Sequence, residues 1–221
     1  MWPLLAAIAL STPTVCIDPG HPSEVGLGTK GKLITELDAV WLVALELMPL
    51  LEAKGVQVVL TKATKDEFVA NRRRAEIANA SKADLLLRLH CDAASGSGLA
   101  TYYPSEAGTA KDGKKGPSEL VLARSAAAAK AFHPVVIERL KGTLPDYGLK
   151  TDKQTLIGSQ QGALTGSIYS EVPVLLVELC VLTNPKDEAV IASDLGRRKI
   201  AEALAAGTMA VLGKRGGKGL E

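Results

Sequence analysis

The chain has 221 residues, of which 47% are hydrophobic and 23% charged, enough for one domain with a substantial core. A formal charge of only +2 and an aromatic content of 4% argue against a polyanion-binding surface or a base-stacking platform. Three cysteines (Cys16, Cys91 and Cys180) with no CxxC spacing exclude a disulfide framework and a cysteine-rich zinc site.

The N-terminus carries an apolar run, Leu4 to Leu10, followed by Ser11-Thr12-Pro13. It has no positive n-region and no clean cleavage signal, so residues 1–13 read either as a signal remnant or as a lead-in to the first strand. Nothing in the sequence reaches the expected length of a membrane span. Val15-Cys16-Ile17-Asp18 reads as a buried strand ending in Pro-Gly. From Leu33 to Leu51 apolar residues recur at 33, 34, 37, 40, 41, 44, 45, 48 and 51, which is helical spacing with one wide apolar face. Thr35 with Asp38 three residues later resembles a capping box, so this helix is expected to start near Thr35.

Val56 to Thr61 is a valine-rich second strand, and 66–80 reads as a polar helix. Within it Arg72, Arg73 and Arg74 form a short run, read as a solvated helix face rather than a phosphate site. Asp84 to His90 is a third strand and Leu99 to Tyr103 a shorter fourth. The glycine- and lysine-rich stretch 105–117 is expected to be disordered. Residues 118–141 are alanine-rich and helical, with Pro134 expected to kink or split them. Val174 to Glu178 is a last buried strand, and 186–212 form a closing helix or helix pair starting near Asn184-Pro185. Residues 214–221 read as a flexible tail whose closing Leu220-Glu221 resembles a cloning remnant. The alternation of strands and helices predicts a single α/β domain over 14–213 with a largely parallel sheet flanked by helices. A monomer is expected.

The unusual polar residues fall at strand ends. Asp18 and His21 follow the first strand, His90 ends the third and Glu178 ends the last; Glu36 opens the long helix that returns from the same edge. Open α/β sheets build sites outside the carboxyl ends of their strands. Two histidines and a carboxylate can hold zinc with a fourth position open, and Glu178 can then move a proton as general base and acid. Taken singly, His21 and Glu36 also read as a turn residue and a first-turn acid. His133, in the alanine-rich helix, reads as structural or solvated.

The motifs in order resemble the zinc-dependent N-acetylmuramoyl-L-alanine amidases of bacterial cell-wall hydrolysis. Ile17-Asp18-Pro19-Gly20-His21 resembles the opening metal-histidine motif, and Glu36 in Thr35-Glu36-Leu37 stands where that family has its metal glutamate. Thr61 through Arg72 to Ala78-Asn79 resembles the stretch before the third strand. Leu89-His90-Cys91-Asp92-Ala93 resembles the second metal-histidine motif, and Ser97-Gly98-Leu99 to Tyr103 the strand that follows. The stretch from Val177-Glu178-Leu179 to Asn184-Pro185 resembles the catalytic-glutamate motif. The resemblance implies a six-stranded, mostly parallel sheet, one zinc ion on His21, Glu36 and His90, and Glu178 as catalytic acid/base. It implies peptidoglycan or muropeptides as substrate, with no nucleic acid, and a periplasmic or secreted location, or a cytoplasmic one if the N-terminal run is not a signal. A zinc peptidase acting within the stem peptide and an inactive wall-binding module are the competing readings. Some members carry an added helical plug before the catalytic glutamate. The stretch from Asp92 to Pro173 reads as filled by elements the basic domain needs, so activity without an activator is expected.

The chain departs from the family pattern at Pro22-Ser23, Cys91, Asp92 and Cys180, and most sharply at Arg88, where serine is frequent. Arg88 shares a strand face with His90. It is expected either to pair with an acid such as Asp18 or Asp92 or to bind a substrate carboxylate. Arg88→Ser separates the two: altered substrate preference with unaltered metal content, measured side by side, would rule out the first.

Overall fold

The computed structural model describes residues 12–213, so the N-terminal apolar run and the tail from 214 lie outside the described residues. The central sheet holds six strands in the order β2-β1-β3-β8-β4-β7. These are β1 (Thr14–Pro19), β2 (Gln57–Leu60), β3 (Leu85–Asp92), β4 (Leu99–Tyr103), β7 (Asp146–Thr151) and β8 (Val174–Val181). Four of the five pairings are parallel; β4 against β8 is antiparallel. Because β1 is flanked by β2 and β3, the chain leaves β1 on one side and returns on the other, which opens a crevice at their carboxyl ends.

One face of the sheet is covered by α1 (Glu36–Glu52), α3 (Glu119–Leu140) and α7 (Asp194–Gly213). Odd-numbered residues of β3, Leu85, Leu87, Leu89 and Cys91, point into this core with Val15 and Ile17 of β1 and Val177 and Leu179 of β8. The stripe that α1 buries is Ala39, Val40, Val43, Ala44, Leu47 and Leu51, narrower than the apolar pattern suggests; Leu45 is exposed. Thr35 caps α1 by accepting from the Asp38 amide, which fixes the start of the helix where the sequence places it. α3 is one continuous helix with Pro134 inside it, so the expected split does not occur. α3 is also long and apolar enough to cross a membrane, contrary to the sequence expectation, but Phe132, Val136 and Leu140 lie fully in the core against α7. The closing segment is a pair, α6 (Pro185–Ala192), capped by Asn184, and α7.

The opposite face is thinner. It carries α2 (Asn71–Ala80) and, around Cys16, Leu86 and Val174, a smaller core with Ala78. α2 starts at Asn71 rather than at 66, since the Val69 amide is drawn to the Pro22 carbonyl and the Asn71 amide to Glu24. The stretch expected to be disordered is ordered as a hairpin of β5 (Gly108–Thr109) and β6 (Lys115–Gly116). Two short helices, α4 (Leu156–Gln161) and α5 (Thr165–Ile168), lead into β8.

Even-numbered residues of β3 face this thinner side, and there a buried charge cluster replaces apolar packing. Asp18 is fully buried and accepts from Arg74 at 2.5 Å, from Arg88 at 2.9 Å and from Thr61 at 2.6 Å. Arg74 is therefore not part of a solvated face: Arg72 and Arg73 are 58% and 63% exposed, while Arg74 is fully enclosed. Burial alone would push the Asp18 carboxyl up, but the two guanidinium groups and the threonine hydroxyl hold it well below the usual carboxylate range. Since its folded value is depressed, Asp18 contributes stability at neutral pH that fades as pH falls below the unfolded value near ~4. Asp18→Asn strands the two arginines and should destabilise the fold by about 3–5 kcal/mol at pH 7. Urea unfolding across pH 3 to 7 should show a flatter acid limb for the variant; an unchanged midpoint at pH 7 would disprove this account.

Candidate metal centre and active site

The loop after β1 places His21. Its backbone takes φ of +54°, a conformation that costs a non-glycine residue about 1–3 kcal/mol and persists only when its surroundings impose it. The surroundings here are two buried cations. Arg74 donates to the carbonyls of Pro19, Pro22 and Val69, and Lys62 donates to those of Gly20, His21 and Lys65. Burial lowers the Lys62 pKa to about 8. Every carbonyl around the turn thus meets a fixed donor.

His21 Nδ1 lies 3.0 Å from the Gly26 carbonyl, an arrangement that puts the proton on Nδ1 and turns Nε2 inward. Nε2 is 3.2 Å from Glu36 Oε1, and His90 Nδ1 is 3.0 Å from that same oxygen. Ligand-type atoms of His21, Glu36 and His90 all lie within 4.8 Å of one another. The rings of the two histidines meet edge to face at 5.1 Å. Glu36 is held from outside the trio as well: Oε1 accepts from the Cys91 amide at 3.1 Å and Oε2 from the Thr29 amide at 2.7 Å.

The three groups compensate one another in charge. Burial would raise Glu36, but both histidines hold it well below the usual carboxylate range. Burial would lower His21, yet its bond to Glu36 leaves it raised; His90 is lowered by burial. Two imidazoles and one carboxylate suit a divalent metal with an open position, and His90 Nε2 is buried without any partner, which fits a site built for something more than hydrogen bonds within the trio.

Glu178 stands beside this trio. It is the register partner of His90 on the adjacent strand, and its Oε2 is likewise buried without a partner. Burial, then the neighbouring charges of Glu36 and Asp92, push its carboxyl well above the usual range. A cleft of about 410 Å³ opens over Glu178, lined also by Asp92, Tyr102, Tyr147 and Lys150. A buried carboxyl with a raised pKa at the wall of a cleft has the properties of a group that both takes and gives a proton.

A sequence model for the family described as N-acetylmuramoyl-L-alanine amidase matches residues 15–209. The chain belongs to that family. It is 28% identical over 199 residues to the N-acetylmuramoyl-L-alanine amidase LytC of Bacillus subtilis, covering 89% of this chain but 35% of LytC. It is also 28% identical over 218 residues to AmiA of Escherichia coli, covering 88% and 74% of the two. Among solved structures, an N-acetylmuramoyl-L-alanine amidase from Clostridium difficile 630 superposes with a TM-score of 0.70 at 25% identity, covering 94% and 99%. AmiC2 of Nostoc punctiforme superposes with 0.71 at 24% identity, covering 91% and 98%. The single α/β domain and its six-stranded, mostly parallel sheet are those of this amidase family.

The structure brings His21, Glu36, His90 and Glu178 together, as the family motifs imply. Arg88 is 3% exposed and takes the first of its two expected arrangements, paired with Asp18 and donating to Asn71 Oδ1 at 2.5 Å. His133 is structural, bridging Thr101 and Asp146 at 3.0 Å each. All three cysteines are buried and free, and the neighbouring Cys180, with burial, pushes the Cys91 thiol pKa well up. The residue that sequence reading missed is Arg74; Arg72, matched in its stead to the amidase pattern, is exposed and pairs with Glu76. The signal available was the even-residue charge of Asp18, which demands a buried cation from some element.

Two glycines make room for the trio. A Cβ on Gly20 would lie 2.5 Å from the His90 ring, and one on Gly28, at φ of +83°, 2.6 Å from Glu36 Oε2 and 2.8 Å from His21. Gly28→Ala should therefore displace two ligands at once and weaken divalent-metal affinity about 10–100-fold, the effect usual for lost support around ligands. Competition with a chromogenic chelator measures this, and unchanged affinity would show that the loop yields freely.

Proposed function

We propose that the chain hydrolyses the amide bond between N-acetylmuramic acid and the L-alanine of the peptidoglycan stem peptide, with one zinc ion on His21, Glu36 and His90. The observation that carries this reading is that His90 and Glu178, register partners on β3 and β8, each bury an unpartnered atom, Nε2 and Oε2, in a fold of this family. When bound, zinc supplies a Lewis acid for the scissile carbonyl and lowers the pKa of water.

The chain supplies the rest. Glu178 takes the proton of the attacking water and delivers it to the nitrogen of the leaving alanine, so the amine departs neutral. Its raised pKa suits the second half of that shuttle, while the cation at the metal site favours the ionised form needed for the first. The Gly26 carbonyl orients the His21 imidazole, and the Arg74 and Lys62 clamps keep the loop of His21 from relaxing. A peptidoglycan substrate places this work in the cell envelope, periplasmic or secreted, and a site assembled from the domain's own strands is expected to act without an activator.

Metal-free protein digesting purified peptidoglycan with and without zinc, with mass analysis of the products, tests the reading. The expected result is zinc-dependent release of intact stem peptides with a free alanine amine. Cuts inside the stem peptide would replace it with the peptidase reading, and bound zinc with no cleavage by a wall-binding role. Glu178→Gln should retain zinc and lose about 10²–10⁴-fold in turnover; His21→Ala and His90→Ala should lose both.

A further inference from the structure

Lys150 is a cation in the cleft that no carboxylate touches directly among the described residues. It lies on β7, in register with Tyr102 of β4, and its side chain is half-buried. Its ammonium sits 3.4 Å from the centre of the Tyr147 ring and 5.5 Å from that of Tyr102. It makes no ion pair with any described residue, although Lys141 and Lys153, its exposed neighbours in sequence, both do. The rings hold the side chain in place: Tyr147 packs so closely on the loop before β4 that a Cβ on Gly96 would lie 2.2 Å from it. A lysine fixed over two aromatic faces has lost the freedom that makes surface lysines poor ligands.

The same cleft carries Glu178 and Asp92, so its charge is polar from end to end. Glu178 aligns with Ala100 and Ala100 with Gly148, and Lys150 lies two residues further on. With strands ~4.8 Å apart and ~3.3 Å per residue, the backbones of Glu178 and Lys150 are about 12 Å apart. An extended peptide advances ~3.3–3.6 Å per residue. A leaving peptide whose new amine lies at the acidic end therefore brings a carboxylate on its second or third residue towards the ammonium.

We propose that Lys150 is a specificity-determining residue that receives a carboxylate of the leaving stem peptide. This deepens the amidase reading and rests on it for the identity of the peptide. The ammonium adds affinity for the peptide and fixes which way it runs from the scissile amide; it takes no part in bond cleavage.

Calorimetric titration of the zinc-loaded protein with a stem tripeptide bearing free carboxylates, and with the same peptide amidated at them, tests this directly. Amidation should weaken binding to the parent by about tenfold, the scale of one charge-assisted contact. Lys150→Met should bind both forms equally weakly, and Lys150→Arg should restore the preference. On the matching muropeptides the Lys150→Met change should appear in KM, with kcat little altered. Equal binding of the two peptides by the parent, or a preference that survives in Lys150→Met, would overturn the proposal. If neither muropeptide is hydrolysed while the lysine-dependent preference persists, the amidase reading falls and the carboxylate site stands.

Discussion

The structure depends on one buried carboxylate. Asp18 is the penultimate residue of the first strand and is met there by Arg74 from α2, Arg88 from β3 and Thr61 after β2. An isolated ion at that depth would be costly, and two cations without it costlier still. The cluster therefore holds only if the three elements arrive together. Once they do, Arg74 Nη1 donates both to Asp18 and to the Pro19 carbonyl, and Nη2 grips the Pro22 carbonyl on the far side of His21. Charge burial on one face of β1 thus becomes the positioning of a ligand a few residues further along.

A second pair of buried acids steadies the other side of the site. Asp187 and Glu188 lie in the first turn of α6, where a helix N-terminus favours negative charge. Asp187 accepts from Ser97, from the Gly98 amide and from the Val181 amide, which ties the loop after β3 to the end of β8. Glu188 accepts from the Leu33 amide at 2.6 Å and so holds the approach to Glu36. Loops that would otherwise drift are fastened to a helix end, and the strands bearing His90 and Glu178 stay in register.

Most of the sheet was legible because its strands are continuous apolar runs, and the helices because their apolar positions recur with helical period. β7 was not: Asp-Tyr-Gly-Leu-Lys-Thr lies at the sheet edge, half exposed, with no apolar alternation to mark it. The hairpin at 108–116 is likewise held by tertiary contacts, with Gly108 and Gly116 set against the backbones of Gln161 and Ile168. In the site, His21, Glu36, His90 and Glu178 could be found because strand ends in such sheets converge. Arg74 could not, because Arg-Arg-Arg beside Glu76 has the local pattern of a solvated helix. Only the partner across the sheet distinguishes the buried member of that run.

Arg88 shows how a departure from the family pattern is accommodated. A cation two residues from a histidine of a group that could hold a metal would repel the ion. Here its Nε is taken by Asp18 and a terminal nitrogen by Asn71, and Gly166 leaves room for the guanidinium between them. The group is buried and fully engaged by these partners. What reaches His90 is its field, and that field acts in the same sense as burial, lowering the histidine's pKa. Only the neutral imidazole can ligate a metal. The same field would oppose a divalent ion more strongly than it opposes a proton, so the accommodation rests on Asp18, whose negative charge against the guanidinium offsets it.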